Sequence, residues 1–292
     1  MAYQVRRACS EHSIVLRGLR FHLYRWQGAG PLLILLHGWG DSGATYQFLV
    51  DHLHPDRNCL ALDMRGFGRS EWPQEGYWFP NYLADLEALL EHIASSDPVD
   101  VLGHSMGGNV AMLYAGIRPE RVRRLINLEG FGLPRTHPKQ APRRYREWLD
   151  EVRAGPQTYA EHDSIARFEE RLRQRNPRTS AERIAFIARA WSRETSSGGV
   201  VPRADPRHKW VNAVLYRREE AESCWRNITA PVLLLQGDQS EVVQRTDAAP
   251  EFAEFLATLR DAHVEIIAGA GHMLHHEQPE KVAQHIEQFL AR

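Results

Sequence analysis

The chain has 292 residues, a length that suits one domain with an insertion or two small domains. Hydrophobic residues make up 43% and charged residues 25%, so a sizeable core can form. The formal net charge of -1 argues against nucleic acid or an anionic membrane as a partner, and no apolar run approaches membrane-spanning length.

The first twenty residues lack the basic start and long apolar run of a secretory signal. The three cysteines, Cys9, Cys59 and Cys224, are far apart and show no metal-ligand spacing. This pattern predicts reduced thiols and a cytoplasmic protein. We expect a small-molecule substrate, no cofactor and no metal.

The first elements in chain order are strands. Residues 3–26 alternate loosely, which predicts an antiparallel opening pair, and the apolar run in residues 31–36 predicts a central strand covered on both faces. The Gly-rich sequence His-Gly-Trp-Gly-Asp-Ser-Gly follows at residues 37–43. Such a loop can aim a backbone amide at a ligand, or it can simply connect a strand to a helix.

The next elements repeat the alternation of strand and helix. Residues 58–63 predict a strand that leads into the Gly-containing turn Met-Arg-Gly-Phe-Gly-Arg-Ser at residues 64–70. Residues 80–94 carry leucines on one face and predict an amphipathic helix.

The sequence Val-Leu-Gly-His-Ser-Met-Gly-Gly-Asn at residues 101–109 predicts a nucleophile elbow, because apolar strand residues run directly into a Gly-x-Ser-x-Gly turn and then into a helical pattern. A serine hydroxyl needs a base within reach, an exposed position and donors for the oxyanion that its attack creates. Gly103 and Gly107 allow the strand and the helix to approach closely around Ser105. The helix that begins near Met106 directs its positive end towards developing negative charge.

The alternation breaks after the next predicted strand, residues 123–128, which is followed directly by Glu129. From residue 134 to about residue 227 the chain shows Arg-rich helical segments parted by Pro and Gly. We therefore predict a core domain from residues 1–133 and 228–292, with a helical cap inserted at residues 134–227.

The C-terminal part resumes the core pattern. Residues 231–235 and 263–267 predict two more strands, and a helix is expected to start near Pro279. Between the last strand and that helix lies the sequence Gly-Ala-Gly-His, which ends at His272. This histidine stands out among the fifteen because its Gly-flanked loop follows a buried strand.

Taken together, these motifs resemble the α/β-hydrolase family in content and order. The resemblance implies a mostly parallel eight-stranded sheet with helices on both faces and a cap inserted after the sixth strand. It further implies that Ser105 attacks a carbonyl, that His272 takes its proton, and that the amides of Met106 and Trp39 hold the oxyanion.

The acid that orients the imidazole departs from the common family pattern, because Ser240 occupies the place where many relatives have Asp. Glu129 is one substitute, since its strand exit resembles that of haloalkane dehalogenases. Glu241 is the other, one place beyond the usual site. We favour Glu129, because a strand end fixes a carboxylate more firmly than a loop does, and we rank Asp238 third.

The expected function is that of an esterase-like serine hydrolase acting on carboxylic esters with small to medium acyl chains. A serine at the elbow disfavours dehalogenase and epoxide hydrolase chemistry, which use an Asp nucleophile. A carbon-carbon bond hydrolase and a perhydrolase keep the same triad and remain alternatives, as does a non-catalytic ligand-binding protein. His104, His275 and His276 lie near the motifs but fit no family role, so we interpret them as structural.

Overall fold

The structure, a computed structural model, describes residues 2–241 and 250–292. Eight strands form the main sheet, in the spatial order β1-β2-β4-β3-β5-β6-β9-β10. Their bounds are β1 Ser10–Leu16, β2 Leu19–Trp26, β3 Leu32–Leu36, β4 Asn58–Leu62, β5 Val99–His104, β6 Val122–Leu128, β9 Val232–Gly237 and β10 Ala262–Ile267. A separate two-stranded sheet joins β7 Ser192–Glu194 to β8 Val200–Pro202.

The main sheet is mostly parallel. Strand β2 pairs with β1 and with β4 in the antiparallel sense, and the pairs from β4 to β10 are all parallel. This arrangement confirms the predicted fold class and the antiparallel opening pair. Because β3, β5, β6 and β9 are neighbours and parallel, the loops at their carboxyl ends meet along one edge of the sheet.

The helices, in chain order, are α1 Gln47–Val50, α2 Pro80–Ala94, α3 Met106–Ile117, α4 Ala141–Ala154, α5 Ile165–Arg175, α6 Ala181–Trp191, α7 Arg218–Trp225, α8 Pro250–Leu256, α9 Leu274–Glu277 and α10 Pro279–Leu290. A 3-10 turn, Gly43–Tyr46, precedes α1. No helix in the described ranges is long and apolar enough to cross a membrane.

The sheet separates two apolar cores, as the alternation of β3 shows. Ile34 and Leu36 face one core, whereas Leu33 and Leu35 face the other. Successive side chains of a strand point to opposite faces, so an unbroken apolar run fits a strand that is covered on both sides. Helices α2, α3 and α7 contribute to the first core, and α1 and α10 contribute to the second.

The insertion after β6 contains α4, α5, α6 and the β7–β8 hairpin. The prediction of a purely helical segment was incomplete, because the loop at residues 195–199 joins two short paired strands. A third apolar cluster joins this insertion to the core, since Phe48 of α1 packs with Phe168 of α5 and Ile184 of α6.

Helix α7 lies inside the range predicted as cap, yet it packs on the core. Trp225 belongs to the first core, and a side chain at Gly116 of α3 would collide with the backbone of Cys224. Close backbone approach of this kind marks tightly packed helices. We therefore propose that the cap ends near residue 217 and that α7 is a core helix.

A buried ion pair joins the loop after β4 to α2. Arg65 Nε donates to Asp85 Oδ2 at 2.6 Å, and the two side chains are 6% and 3% exposed. We expect Arg65→Met to lower the free energy of unfolding by about 3 kcal/mol, because it leaves a buried carboxylate short of its main cationic partner. Denaturant titration checks this value. Arg173→Met removes an exposed pair with Glu170 and is the control, expected to leave stability almost unchanged. Equal effects of the two changes would contradict the prediction.

Candidate active site

Ser105 occupies a sharp turn between β5 and α3. Its φ of 49° is positive, a conformation that costs free energy for a residue other than glycine and that clusters at functional sites. The turn is tied to the neighbouring strand, because the amide of Ser105 donates to the carbonyl of Leu128 at 2.8 Å. The half-buried hydroxyl therefore sits at the carboxyl edge of the sheet, at the start of a helix.

Two glycines make this turn sterically possible. A Cβ atom at Gly107 would collide with the carbonyl of Leu36 at the end of β3, and a Cβ atom at Gly103 would collide with the backbone of Gly107. Both positions therefore require a residue without a side chain if α3 is to start this close to β3 and β5.

His272 lies in the loop between β10 and α9. Its Nδ1 is 2.7 Å from Oε2 of Glu129, and its side chain is 30% exposed, whereas that of Glu129 is fully buried. The loop is held by Glu277, whose Oε2 accepts from the amide of Gly271 at 2.6 Å and from Nε of Arg178 in the insertion at 2.9 Å. The imidazole is thus fixed on its inner side and open on its outer side.

Glu129 follows β6 directly and also has a positive φ, of 55°. Its Oε1 accepts from the amide of Gly237 at 2.8 Å, and its Oε2 accepts from the hydroxyl of Ser240 at 2.6 Å as well as facing His272. A buried carboxylate needs such donors, because an unpaired buried charge is costly. Ser240 thus contacts the carboxylate that lies against His272.

The other two candidate acids are placed differently. The side chain of Glu241 is exposed. Asp238 Oδ1 accepts from the amides of Gly269 and Ala270 at 2.8 and 3.2 Å, so this carboxylate holds the backbone of the loop that leads to His272. Of the three acids, Glu129 is the one that the structure brings to Nδ1 of the imidazole.

His104, the residue before Ser105, contacts the His272 loop. The Nε2 atom of His104 is 2.9 Å from the carbonyl oxygen of His272, and the two rings are 4.8 Å apart. Within the described part of the chain, Ser105 Oγ makes no hydrogen bond with His272. Catalytic hydrogen bonds are often long in unliganded sites and tighten when substrate binds.

The two predicted oxyanion donors follow the neighbouring strands β5 and β3. Met106 is the first residue of α3, so its N–H has no acceptor within the helix. Trp39 lies in the loop after β3, and its ring is 53% exposed and contacts Phe67 edge-on. The loop is fixed by His37, whose Nε2 accepts from the amide of Met64 at 2.9 Å.

Sequence reasoning missed a buried polar cluster beneath this site. Asp41, His275 and His276 are all at most 3% exposed, and both imidazoles face Asp41 Oδ2. Burial lowers the pKa of His275 to about 4, and the neighbouring His276 acts in the same direction. The available signal was the pair of adjacent histidines in the short segment between His272 and Pro279.

A cavity of about 700 Å³ lies at the insertion, with Trp72, Arg193 and Trp210 in its wall. Ser105, His272 and Glu129 do not line it. Since a substrate must reach the serine hydroxyl, this cavity is not the acyl pocket of the candidate site.

Comparisons with known proteins agree on the family of the fold. Residues 31–279 match the model of the family described as alpha/beta hydrolase fold. The chain is 26% identical over 266 residues to 2-(acetamidomethylene)succinate hydrolase of Mesorhizobium japonicum, covering 91% of this chain and 90% of that protein. It is also 26% identical over 288 residues to 2-hydroxymuconate semialdehyde hydrolase of a Pseudomonas species, covering 95% of this chain and 93% of that protein.

Among solved structures, the thioesterase domain from the curacin biosynthetic pathway superposes with a TM-score of 0.81 at 24% identity. The match covers 96% of this chain and 99% of that domain. At this level of identity the likeness bears on the fold, and the chemistry has to be argued from the site itself.

Proposed function

The chain belongs to the α/β-hydrolase fold family, and on that premise we propose that it is a serine hydrolase that cleaves carboxylic esters of small to medium acyl chain. One observation supports the proposal most: a buried carboxylate, Glu129, lies 2.7 Å from Nδ1 of His272, at the sheet edge where Ser105 occupies its strained turn. A nucleophile, a base and a group that orients the base are the parts that acyl transfer through a serine requires.

In the proposed reaction, Ser105 Oγ attacks the ester carbonyl carbon and its proton passes to Nε2 of His272. Glu129 accepts a hydrogen bond from Nδ1–H, which sets the tautomer and stabilises the imidazolium that forms. The imidazolium then protonates the departing alcohol, and the acyl group stays on Ser105. Water, deprotonated by the same imidazole, releases the acid and restores the serine. Proton transfer of this kind contributes about 10² to 10⁴ in rate.

The oxyanion of each tetrahedral intermediate needs donors that are already in place. We assign this role to the amides of Met106 and Trp39, because the first is free at the start of α3 and the second lies on the loop after the adjacent strand β3. Removal of one such donor typically raises the barrier by about 2.7 to 4 kcal/mol.

The proposal predicts turnover of p-nitrophenyl acetate and p-nitrophenyl butyrate, measured as release of p-nitrophenolate. A graded panel of acyl chain lengths should show the highest kcat/KM among the shorter chains. Absence of turnover above that of a Ser105→Ala preparation across the whole panel would count against ester hydrolysis.

Carbon-carbon bond hydrolysis is the second candidate, because it would use the same triad and because the chain is similar over most of its length to 2-hydroxymuconate semialdehyde hydrolase. An assay with 2-hydroxymuconate semialdehyde addresses it directly. A kcat/KM for this compound well above that for the best ester would make carbon-carbon bond hydrolysis the preferred function, with the same three residues in their proposed roles.

A non-catalytic binding protein on this scaffold is distinguished by a fluorophosphonate probe, which reacts with an activated serine whatever the natural substrate is. We expect covalent labelling that maps to Ser105. A binding protein whose serine is not activated would stay unlabelled.

A further inference from the structure

The cluster beneath the active site consists of Asp41, His275 and His276, and Asp41 Oδ2 lies at ion-pair distance from both imidazoles without a hydrogen bond to either. Asp41 Oδ2 and Nε2 of both histidines are buried and make no hydrogen bond among the residues that the structure describes. Buried polar atoms without partners are rare in native proteins, and an unseen ion or water is one of the usual reasons. Three such atoms facing one another therefore indicate an occupant.

The carboxylate is oriented for that occupant. Asp41 Oδ1 accepts from Thr45 Oγ1 at 2.8 Å, from Trp191 Nε1 at 2.7 Å and from the amide of Ser42 at 2.7 Å. These donors leave Oδ2 directed at the imidazoles. Partners that fix a ligand from behind in this way are typical of metal sites, where they set its orientation.

The two distances to Asp41 Oδ2 favour a metal ion over a water molecule. Oδ2 of Asp41 is 3.5 Å from Nε2 of His275 and 3.4 Å from Nε2 of His276, and ligand atoms of all three residues lie within 4.8 Å of one another. Ligands about 2.0 to 2.1 Å from a tetrahedral metal are separated by about 3.4 Å. A water that accepted and donated hydrogen bonds of about 2.8 Å at tetrahedral angles would hold its partners about 4.6 Å apart.

We propose that Asp41, His275 and His276 bind a divalent first-row transition metal, with Zn²⁺ as the best match. Two imidazoles and a carboxylate suit Zn²⁺ and its neighbours, whereas Mg²⁺ and Ca²⁺ prefer oxygen ligands. Three protein ligands leave a fourth position for water. This site is separate from the proposed serine chemistry and does not depend on it.

The position of the site gives the metal a structural role. Asp41 lies two residues after Trp39 in the loop that follows β3, and His275 lies three residues after His272. Trp191, which bonds to Asp41, belongs to the cap helix α6. A bound ion would therefore join the loop of the oxyanion donor, the loop of the base and the cap, and so stabilise the folded state.

Co²⁺ titration of the untagged, chelator-treated protein tests the proposal, since four-coordinate Co²⁺ absorbs visible light far more strongly than hexaaqua Co²⁺. We expect one Co²⁺ per chain, displaced by Zn²⁺ and unaffected by Mg²⁺, and a melting temperature that rises with Zn²⁺ concentration. Metal analysis of protein refolded with Zn²⁺ should give the same stoichiometry.

Two variants and a control assign the ligands. Asp41→Asn keeps an oxygen acceptor for the three donors and replaces Oδ2 with an amide nitrogen. His276→Gln removes one imidazole. Both variants should lose the visible absorption spectrum of bound Co²⁺. His12→Gln, at an exposed position of β1, should retain it. Binding that persists in both ligand variants would overturn the assignment. A wild-type protein that takes up no Co²⁺ or Zn²⁺, even on refolding, would overturn the metal site and leave a buried water or a proton as the occupant.

Discussion

Ser105→Ala is expected to lower kcat for the best ester by about 10⁶-fold, because it removes the only atom that bonds to the acyl carbon in the proposed mechanism. The fold should persist, since the serine hydroxyl makes no hydrogen bond with His272 among the described residues and alanine keeps the Cβ of the turn. Steady-state assays and a thermal melt, run on the same preparation, check both expectations.

Ser13→Ala is the matched control, because Ser13 lies exposed on the edge strand β1, remote in the sheet order from the proposed site. We expect unchanged kcat and KM for this variant. A Ser105→Ala enzyme that keeps more than a few per cent of the wild-type rate would show that another group is the nucleophile.

Glu129→Gln is expected to lower kcat by about 10⁴-fold with little change in KM. A neutral amide cannot stabilise the imidazolium, and it can hold His272 in the tautomer whose Nε2 carries the proton and cannot act as a base. The readout is kcat and KM for one ester, with the thermal melt as a check on folding, since Glu129 also accepts from Gly237 and Ser240.

Glu241→Gln provides the control for this carboxylate. Its side chain is exposed, so we expect kcat to stay within about twofold of wild type, as is usual for a surface substitution away from the site. If Glu241→Gln lowered kcat strongly and Glu129→Gln left it unchanged, Glu241 rather than Glu129 would be the acid that orients His272.

The sheet was predictable because its central strands are unbroken apolar runs that end in Gly-rich loops. Strands β3 and β5 show this most clearly, because the Gly-rich loop that follows each apolar run marks the end of the strand. Ser105 was identified by the same local information, since strand, turn and helix adjoin within nine residues of sequence.

The placement of the carboxylates was less accessible to sequence reasoning. Glu129 and His272 are separated by 143 positions, and nothing local to either residue shows that the ends of β6 and β9 lie side by side with the His272 loop. The preference for Glu129 over Glu241 came from the rigidity of a strand end and from resemblance to relatives. The part played by Ser240 became visible only in three dimensions.

The insertion and the buried histidines show the same limit. Helix α7 has few apolar residues, and we assign it to the core because Trp225 belongs to the first core and the small Gly116 of α3 allows the backbone of Cys224 to approach closely, which composition does not reveal. In the sequence, His275 and His276 look like ordinary polar residues. The fold brings Asp41, from a loop more than two hundred residues earlier, close to both imidazoles.

The central claim is that Ser105, His272 and Glu129 act as one unit, and the rate of covalent labelling by a fluorophosphonate tests it most directly, because it needs no knowledge of the substrate. The account predicts labelling at Ser105 at equal rates in the wild type and in Glu241→Gln, and labelling slower by about 10² to 10⁴-fold in Glu129→Gln. Equal labelling of wild type and Glu129→Gln would contradict the account.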